Sequence, residues 1–242
     1  MWTSGLLKHN ARLVLQGHIL YSILATAIRI VCILFVLNSL FFSKLFPLIW
    51  ESDTLLKNGT YYTIICGSLF LVVLARILIF NPISVGCNRY FMEQRQGTPP
   101  FATIFSVFTE RSYWNVVKQM FFRDLQIFLL AVLLIVPGIY RAYQLRLVPW
   151  ILAENPTLSR QHTFSLSAML VKNEILSLLL LDLSFLGWFL LSCVTLGIGF
   201  LGLLPYYWAT MAECYSAYRI KAFSLVEETR KHLTGFACYP SI

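Results

Sequence analysis

The chain has 242 residues, of which 58% are apolar and only 12% charged, with a mean hydropathy of +0.70. Soluble globular chains carry about 25% charged residues, so a water-soluble domain around one core is excluded, as are the disordered, collagenous and disulfide-scaffold classes. The composition predicts an all-α polytopic membrane protein, and its net charge of +8 reads as a topology signal and as contact with anionic lipid rather than as a nucleic-acid surface.

The first apolar run extends from His18 to about Phe42, long enough to cross a bilayer. Lys8 and Arg12 before it resemble the start of a secretory signal. The run is too long for one, and Ala25-Thr26-Ala27 lies inside it instead of at its end, so an uncleaved helix is expected. The second run, Thr60 to Phe80, should stop at Asn81-Pro82. The third, about Gln119 to Val136, leads into Pro137-Gly138, a turn signal. A shorter arm, Ile139 to Asn155, follows and carries Arg141 and Arg146. Asn155-Pro156 ends that arm and opens the next helix. The last two runs are Glu174 to about Cys193 and Gly199 to Tyr218, joined tightly by Gly197-Ile198-Gly199. The expected fold is a transmembrane bundle of six spans (18–42, 60–80, 119–136, 139–155, 174–193 and 199–218) in three hairpins, forming one domain over residues 1–242.

Charge asymmetry supports six spans over five. Lys8, Arg12, Arg89, Arg95, Arg111, Lys118, Arg160, Lys172, Arg219, Lys221, Arg230 and Lys231 then share one side, and the other receives only Lys44 and Lys57, offset by Glu51 and Asp53. This positive-inside pattern places both termini in the cytoplasm. Between the hairpins, Phe101, Ile104, Phe105 and Phe108 have helical spacing, as do Leu166, Met169 and Leu170, and Phe223 and Val226; Ser224 with Glu227 fits a capping box. These stretches should lie in the headgroup layer or cover the cytoplasmic face of the bundle.

Signatures of catalysis are missing: no H-E-x-x-H, Walker loop, G-x-S-x-G or G-x-G-x-x-G occurs, so no catalytic residue, cofactor or enzymatic activity is expected. Cys32, Cys66, Cys87, Cys193, Cys214 and Cys238 form no C-x-x-C pair and read as reduced membrane-helix residues. His9, His18, His162 and His232 lack metal-ligand spacing. Asn58-Gly59-Thr60 matches a glycosylation sequon, which carries no meaning in a bacterial protein.

Intramembrane charge is the remaining signal, because it is costly. Arg29 lies near the middle of the first span, Asp182 near the middle of the fifth, Arg146 partway along the fourth, and Glu213 about two turns from the cytoplasmic end of the sixth. Arg76 can snorkel; the other four should face one another. At depths of roughly 16, 12 and 9 Å, Arg29 is expected to meet Asp182 or Glu213, with Ser184 and Gly187 letting a neighbouring helix approach. Two readings stand: ion pairs that fix helix register, or a polar cavity for an anionic group or a proton path. The corresponding functions are a lipid- or partner-binding membrane factor and a small transporter or export/immunity permease, the latter suggested also by helix-interrupting Pro137-Gly138 and Pro205.

The string Leu181-Asp182-Leu183-Ser184-Phe185-Leu186-Gly187-Trp188 continues into Thr195-Leu196-Gly197-Ile198-Gly199, then Pro205-Tyr206, Ala209-Thr210 and Glu213-Cys214-Tyr215. Upstream stand Pro137-Gly138-Ile139, Tyr143 and Ile151-Leu152-Ala153-Glu154-Asn155-Pro156. With the stretches Lys8 to His18 and Gly97 to Tyr113, these residues resemble the bacterial integral-membrane family catalogued as domain of unknown function 975. The resemblance implies a multi-span membrane protein, commonly from Gram-positive species, and brings no activity or catalytic residue. Asn173 stands where that family often has a glycine at a helix end.

Overall fold

A computed structural model describes residues 3–17, 19–49, 60–195, 197–225 and 233, and every regular element among them is helical. Several expectations fall outside those residues: the His18 start of the first run, Glu51, Asp53, Lys57 and Asn58-Gly59, and Val226, Glu227, Arg230, Lys231, His232 and Cys238.

Helix α1 (Ser4–Leu15) starts where the Thr3 hydroxyl accepts the Leu6 N–H at 3.3 Å, and it buries the stripe Leu7, Ala11 and Leu15. A 107° bend follows before α2 (Ile19–Ile49). Helix α3 (Thr60–Ala75) then passes through a π-helical turn, Arg76–Phe80, directly into α4 (Asn81–Glu93). Asn81-Pro82 therefore does not stop the helix, contrary to expectation. The wider π turn precedes the proline, and the Leu78 carbonyl, four residues before Pro82, accepts the Tyr113 hydroxyl at 2.7 Å. A 3₁₀ turn, Phe101–Phe105, crosses α4 at Gly86, where a Cβ would lie 1.9 Å from the Ile104 carbonyl oxygen. With α5 (Ser106–Thr109) it buries Ile104 and Val107 and leaves Phe105 and Phe108 exposed, so Ile104, Phe105 and Phe108 do not share the one helical face their spacing suggests.

The next pair departs further from expectation. Helix α6 (Tyr113–Leu133) turns at Leu134, which is extended (φ −152°, ψ 127°), into α7 (Ile135–Gln144). Pro137 and Gly138 thus lie inside the first turn of α7 instead of forming the connection. Gly138 is needed for packing, since a Cβ there would sit 2.5 Å from Ala131 Cα. The arm expected over Ile139 to Asn155 is also not one helix. Residues 145–147 separate α7 from α8 (Val148–Glu154), all seven of whose residues are buried. Pro149 has no N–H to bond the Leu145 carbonyl. That carbonyl instead accepts Arg123 Nε at 3.1 Å, and the Gln144 carbonyl accepts the Ser167 hydroxyl at 2.7 Å.

Helix α9 (Arg160–Val171) starts at Ser159 and is followed by Asn173 in the left-handed region (φ 68°), a conformation that suits the glycine expected there. Leu166 and Leu170 of α9 are buried and Met169 is exposed. Helix α10 (Ile175–Val194) and α11 (Phe200–Leu225) are joined through Gly197 (φ 89°), and α11 carries Pro205 in its interior. Their close approach is at Gly199, beside Ser192, and not at Gly187, around which a Cβ would find open space. Trp188 is exposed.

Together α4, α8, α9 and the second half of α11 make a buried base that includes Tyr90, Phe91, Trp150, Ile151, Tyr215 and Tyr218. Away from that base the helices expose apolar side chains: Phe70, Leu71 and Val73 on α3, Phe128 through Val136 around the α6–α7 turn, and Leu183, Leu190 and Val194 on α10. Among the described residues, Cys66–Glu93 and Ile175–Val194 are long and apolar enough to cross a membrane. Ser4–Leu15 with Ile19–Cys32 would make a third such run if their bend lay within one span.

Candidate functional site

Helix α11 is the axis on which the polar residues meet. Its 3.6-residue period sends Tyr207 and Met211 to one side, Trp208, Tyr215 and Arg219 to another, and Glu213 to a third. The four predicted charges are distributed over these sides and do not form one cluster.

Arg146 sits in the break between α7 and α8, which aims its guanidinium across to α10. Both of its terminal nitrogens bond the Asp182 carboxylate, Nη2 at 2.7 Å from Oδ1 and Nη1 on Oδ2, a bidentate pair. The Tyr143 hydroxyl donates to Asp182 Oδ2 at 2.9 Å and the Tyr207 hydroxyl to Oδ1 at 3.1 Å, while Arg146 Nη2 also reaches the Tyr207 oxygen at 2.5 Å. The carboxylate is thus fully satisfied, and three elements are tied to α11.

Glu213 points elsewhere. Arg95, just past the end of α4, grips it with Nε and with Nη2, the latter at 3.0 Å, and the two side chains are only 10% and 6% exposed. Arg29 meets neither acid, which corrects the expected pairing with Asp182 or Glu213. Because α2 packs on α4 and α11, Arg29 Nη2 donates to the Ser84 carbonyl at 2.5 Å and to Asn88 Oδ1 at 2.7 Å. Its guanidinium carbon lies 3.8 Å from the centre of the Trp208 ring, a cation–π contact. Among the described residues, the Nε and Nη1 atoms of this buried residue have no hydrogen-bond partner.

Other polar contacts are not legible in the sequence. Glu154, which reads only as part of a helix end, is completely buried against Arg219 at 2.7 Å and accepts the Tyr215 hydroxyl at 2.7 Å, with Trp150 stacked on Tyr215. Arg219 itself reads only as a topology residue. The third run, strongly apolar as a whole, contains Arg123 and Asp124; Asp124 accepts Asn81 Nδ2 at 3.1 Å and lies 3.7 Å from Arg76. The signal is a charged dipeptide inside an apolar run. Asn81 and Arg76 on the neighbouring helix cannot be paired with it without knowing that α4 continues past Pro82.

Every carboxylate among the described residues is ion-paired: Glu93 and Glu110 with Arg89, Asp124 with Arg123, Glu154 with Arg219, Glu174 with Lys221, Asp182 with Arg146, and Glu213 with Arg95. Such an arrangement can fix helix register. Among the described residues no group of three His, Cys, Asp or Glu side chains is placed to hold a metal ion.

No curated protein and no solved structure matches the chain. One family model does match, over residues 13–222, which takes in every helix described above except the first turns of α1 and the last turn of α11. The chain belongs to the family described as Protein of unknown function (DUF975).

Proposed function

We propose that the chain is a six-span protein of the bacterial plasma membrane, with three hairpins and both termini in the cytoplasm, acting as a non-enzymatic factor that binds lipid or a partner membrane protein. The observation that carries this reading is the complete pairing of the described carboxylates. Charges at membrane depth are costly alone, and here they serve to hold α4, α8, α10 and α11 together. The apolar faces of α3, α6–α7 and α10 then need lipid or another membrane protein to cover them. The experiment is purification of the full chain in mild detergent, with pull-down and lipid extraction. Enriched lipid or a specific protein is the expected result; a monomer carrying neither would overturn the reading.

A second reading, a small transporter or export/immunity permease, is favoured by Arg29, a buried guanidinium that among the described residues has no carboxylate beside it and two nitrogens unbonded. Reconstituted vesicles that take up an organic or inorganic anion, and lose that uptake in Arg29→Met, would establish it in place of the first.

A further inference from the structure

A cavity of about 350 Å³ lies where the start of α2 meets the end of α4, walled by Tyr21, Tyr90, Thr98, Pro99, Pro100 and Phe101. The Ser22 hydroxyl, bonded to Gln94 Oε1 at 3.1 Å, ties the two helix ends together. The apolar run Cys66–Glu93 stops there, and Thr98 belongs to the stretch that the six-span reading puts in the cytoplasm. The cavity therefore stands at headgroup depth on the cytoplasmic side.

The chemistry of the walls selects for a cation. Tyr90 and Phe101, with ring centres 6.4 Å apart and planes at 71°, form two walls of a corner, and Tyr21 adds a third ring. Aromatic faces carry negative potential and attract a cation. Pro99 and Pro100 have no N–H to offer an anion, and no lining residue is charged. The charges bonded around the end of α4 are two arginines, Arg89 and Arg95, against three glutamates, Glu93, Glu110 and Glu213, a balance of one negative. Hydroxyl oxygens narrow the choice further. Tyr90 is only 1% exposed, yet among the described residues its hydroxyl, like those of Tyr21 and Thr98, has no hydrogen-bond partner. Three oxygens able to accept match the three N–H donors of a primary ammonium, and a quaternary ammonium has none. Beyond the cavity, α2 exposes Leu24 and Val31 on the face of Tyr21. This apolar strip leads from the cavity into the span for about 15 Å at 1.5 Å per residue.

We infer that the cavity binds the ammonium of an aminophospholipid, phosphatidylethanolamine, with its acyl chains lying along α2. The inference rests on the lipid-binding reading above and gives it one site and one headgroup. A free amine would meet the aromatic cage without the strip.

Native mass spectrometry of the full-length protein in detergent, titrated with phosphatidylethanolamine, phosphatidylcholine, phosphatidylglycerol or water-soluble phosphoethanolamine, tests this. The wild type should retain phosphatidylethanolamine better than phosphatidylcholine of the same chains by about tenfold or more, the worth of one hydrogen bond from a charged donor. It should not retain phosphoethanolamine. Tyr90→Phe should remove the preference and leave the melting temperature and phosphatidylglycerol retention unchanged, because the lost hydroxyl bonds nothing among the described residues. Thr98→Val, in an exposed loop, should lower the preference by about threefold or more, so misfolding of Tyr90→Phe leaves a second test. Tyr140→Phe, outside the cavity, should bind as wild type. Lipid retained without that preference, or a preference unchanged in both cavity variants, would overturn the cage and leave the lipid reading intact. Phosphoethanolamine held as tightly as the lipid would overturn the lipid as the source of the ammonium. A wild type that holds no lipid at all would overturn both readings.

Discussion

Asp182→Ala removes the acceptor shared by Arg146, Tyr143 and Tyr207. The guanidinium then stays beneath α11 without a counter-charge. Removing one member of a buried pair costs about 3–5 kcal/mol. The side chains here are 17% and 28% exposed, which puts the loss at the low end, about 3 kcal/mol. For a chain of this size that corresponds to a fall of about 6–12 °C in melting temperature. Thermal unfolding of the purified protein in detergent measures it, and membrane-fraction yield gives the same order in cells. Asp53→Ala, in the segment read as an outer loop, should leave both unchanged. Replacing both partners (Arg146→Met with Asp182→Leu) should recover most of the loss, because neither charge remains to be desolvated. A single Asp182→Ala within 2 °C of wild type, on the order of half a kcal/mol, would refute the reasoning. So would a double variant as unstable as the sum of the two singles.

Three further outcomes follow from local geometry. Gly86→Ala drives a methyl group into the Ile104 backbone and should cost about 1–3 kcal/mol, seen as a lower melting temperature, since backbone on both sides limits relief. Tyr113→Phe leaves the Leu78 carbonyl without its donor beside the π turn; a loss of about 1 kcal/mol and faster amide exchange over residues 80–84 are expected. Asn173→Gly should be neutral or slightly stabilising in the same melts, whereas Asn173→Val, β-branched at φ 68°, should cost about 1–2 kcal/mol.

The helical class was readable because long apolar runs are written locally, and so were the limits around the last connection. Predicted runs 174–193 and 199–218 lie close to Ile175–Val194 and Phe200–Leu225, and glycine turns such as Gly197 are fixed by backbone sterics that the sequence displays. Proline was where local reading failed. Pro82 is carried inside a helix because a distant Tyr113 bonds the carbonyl it frees, while Pro149 ends α7 early because Arg123 and Ser167 cap the carbonyls there. Whether a proline breaks a helix thus depended on partners 18 to 31 residues away, which periodicity does not encode. The same limit applied to the charges. The cost of burying Asp182 and Arg146 marked both as paired, and they are paired with each other. Arg29 was assigned by depth alone, and depth does not say which helix is adjacent; Ser84, Asn88 and Trp208 could satisfy it in place of an acid.

Topology is the most direct test of the central claim. Single cysteines at Thr98, Leu134, Gln161 and Ile198, in a chain whose native cysteines are replaced by serine or alanine, can be labelled with a membrane-impermeant maleimide in intact cells and after lysis. Six spans with cytoplasmic termini predict that Leu134→Cys and Ile198→Cys react from outside, and that Thr98→Cys and Gln161→Cys react only after lysis. Protection of Leu134→Cys in intact cells, or reaction of Gln161→Cys from outside, would contradict the account.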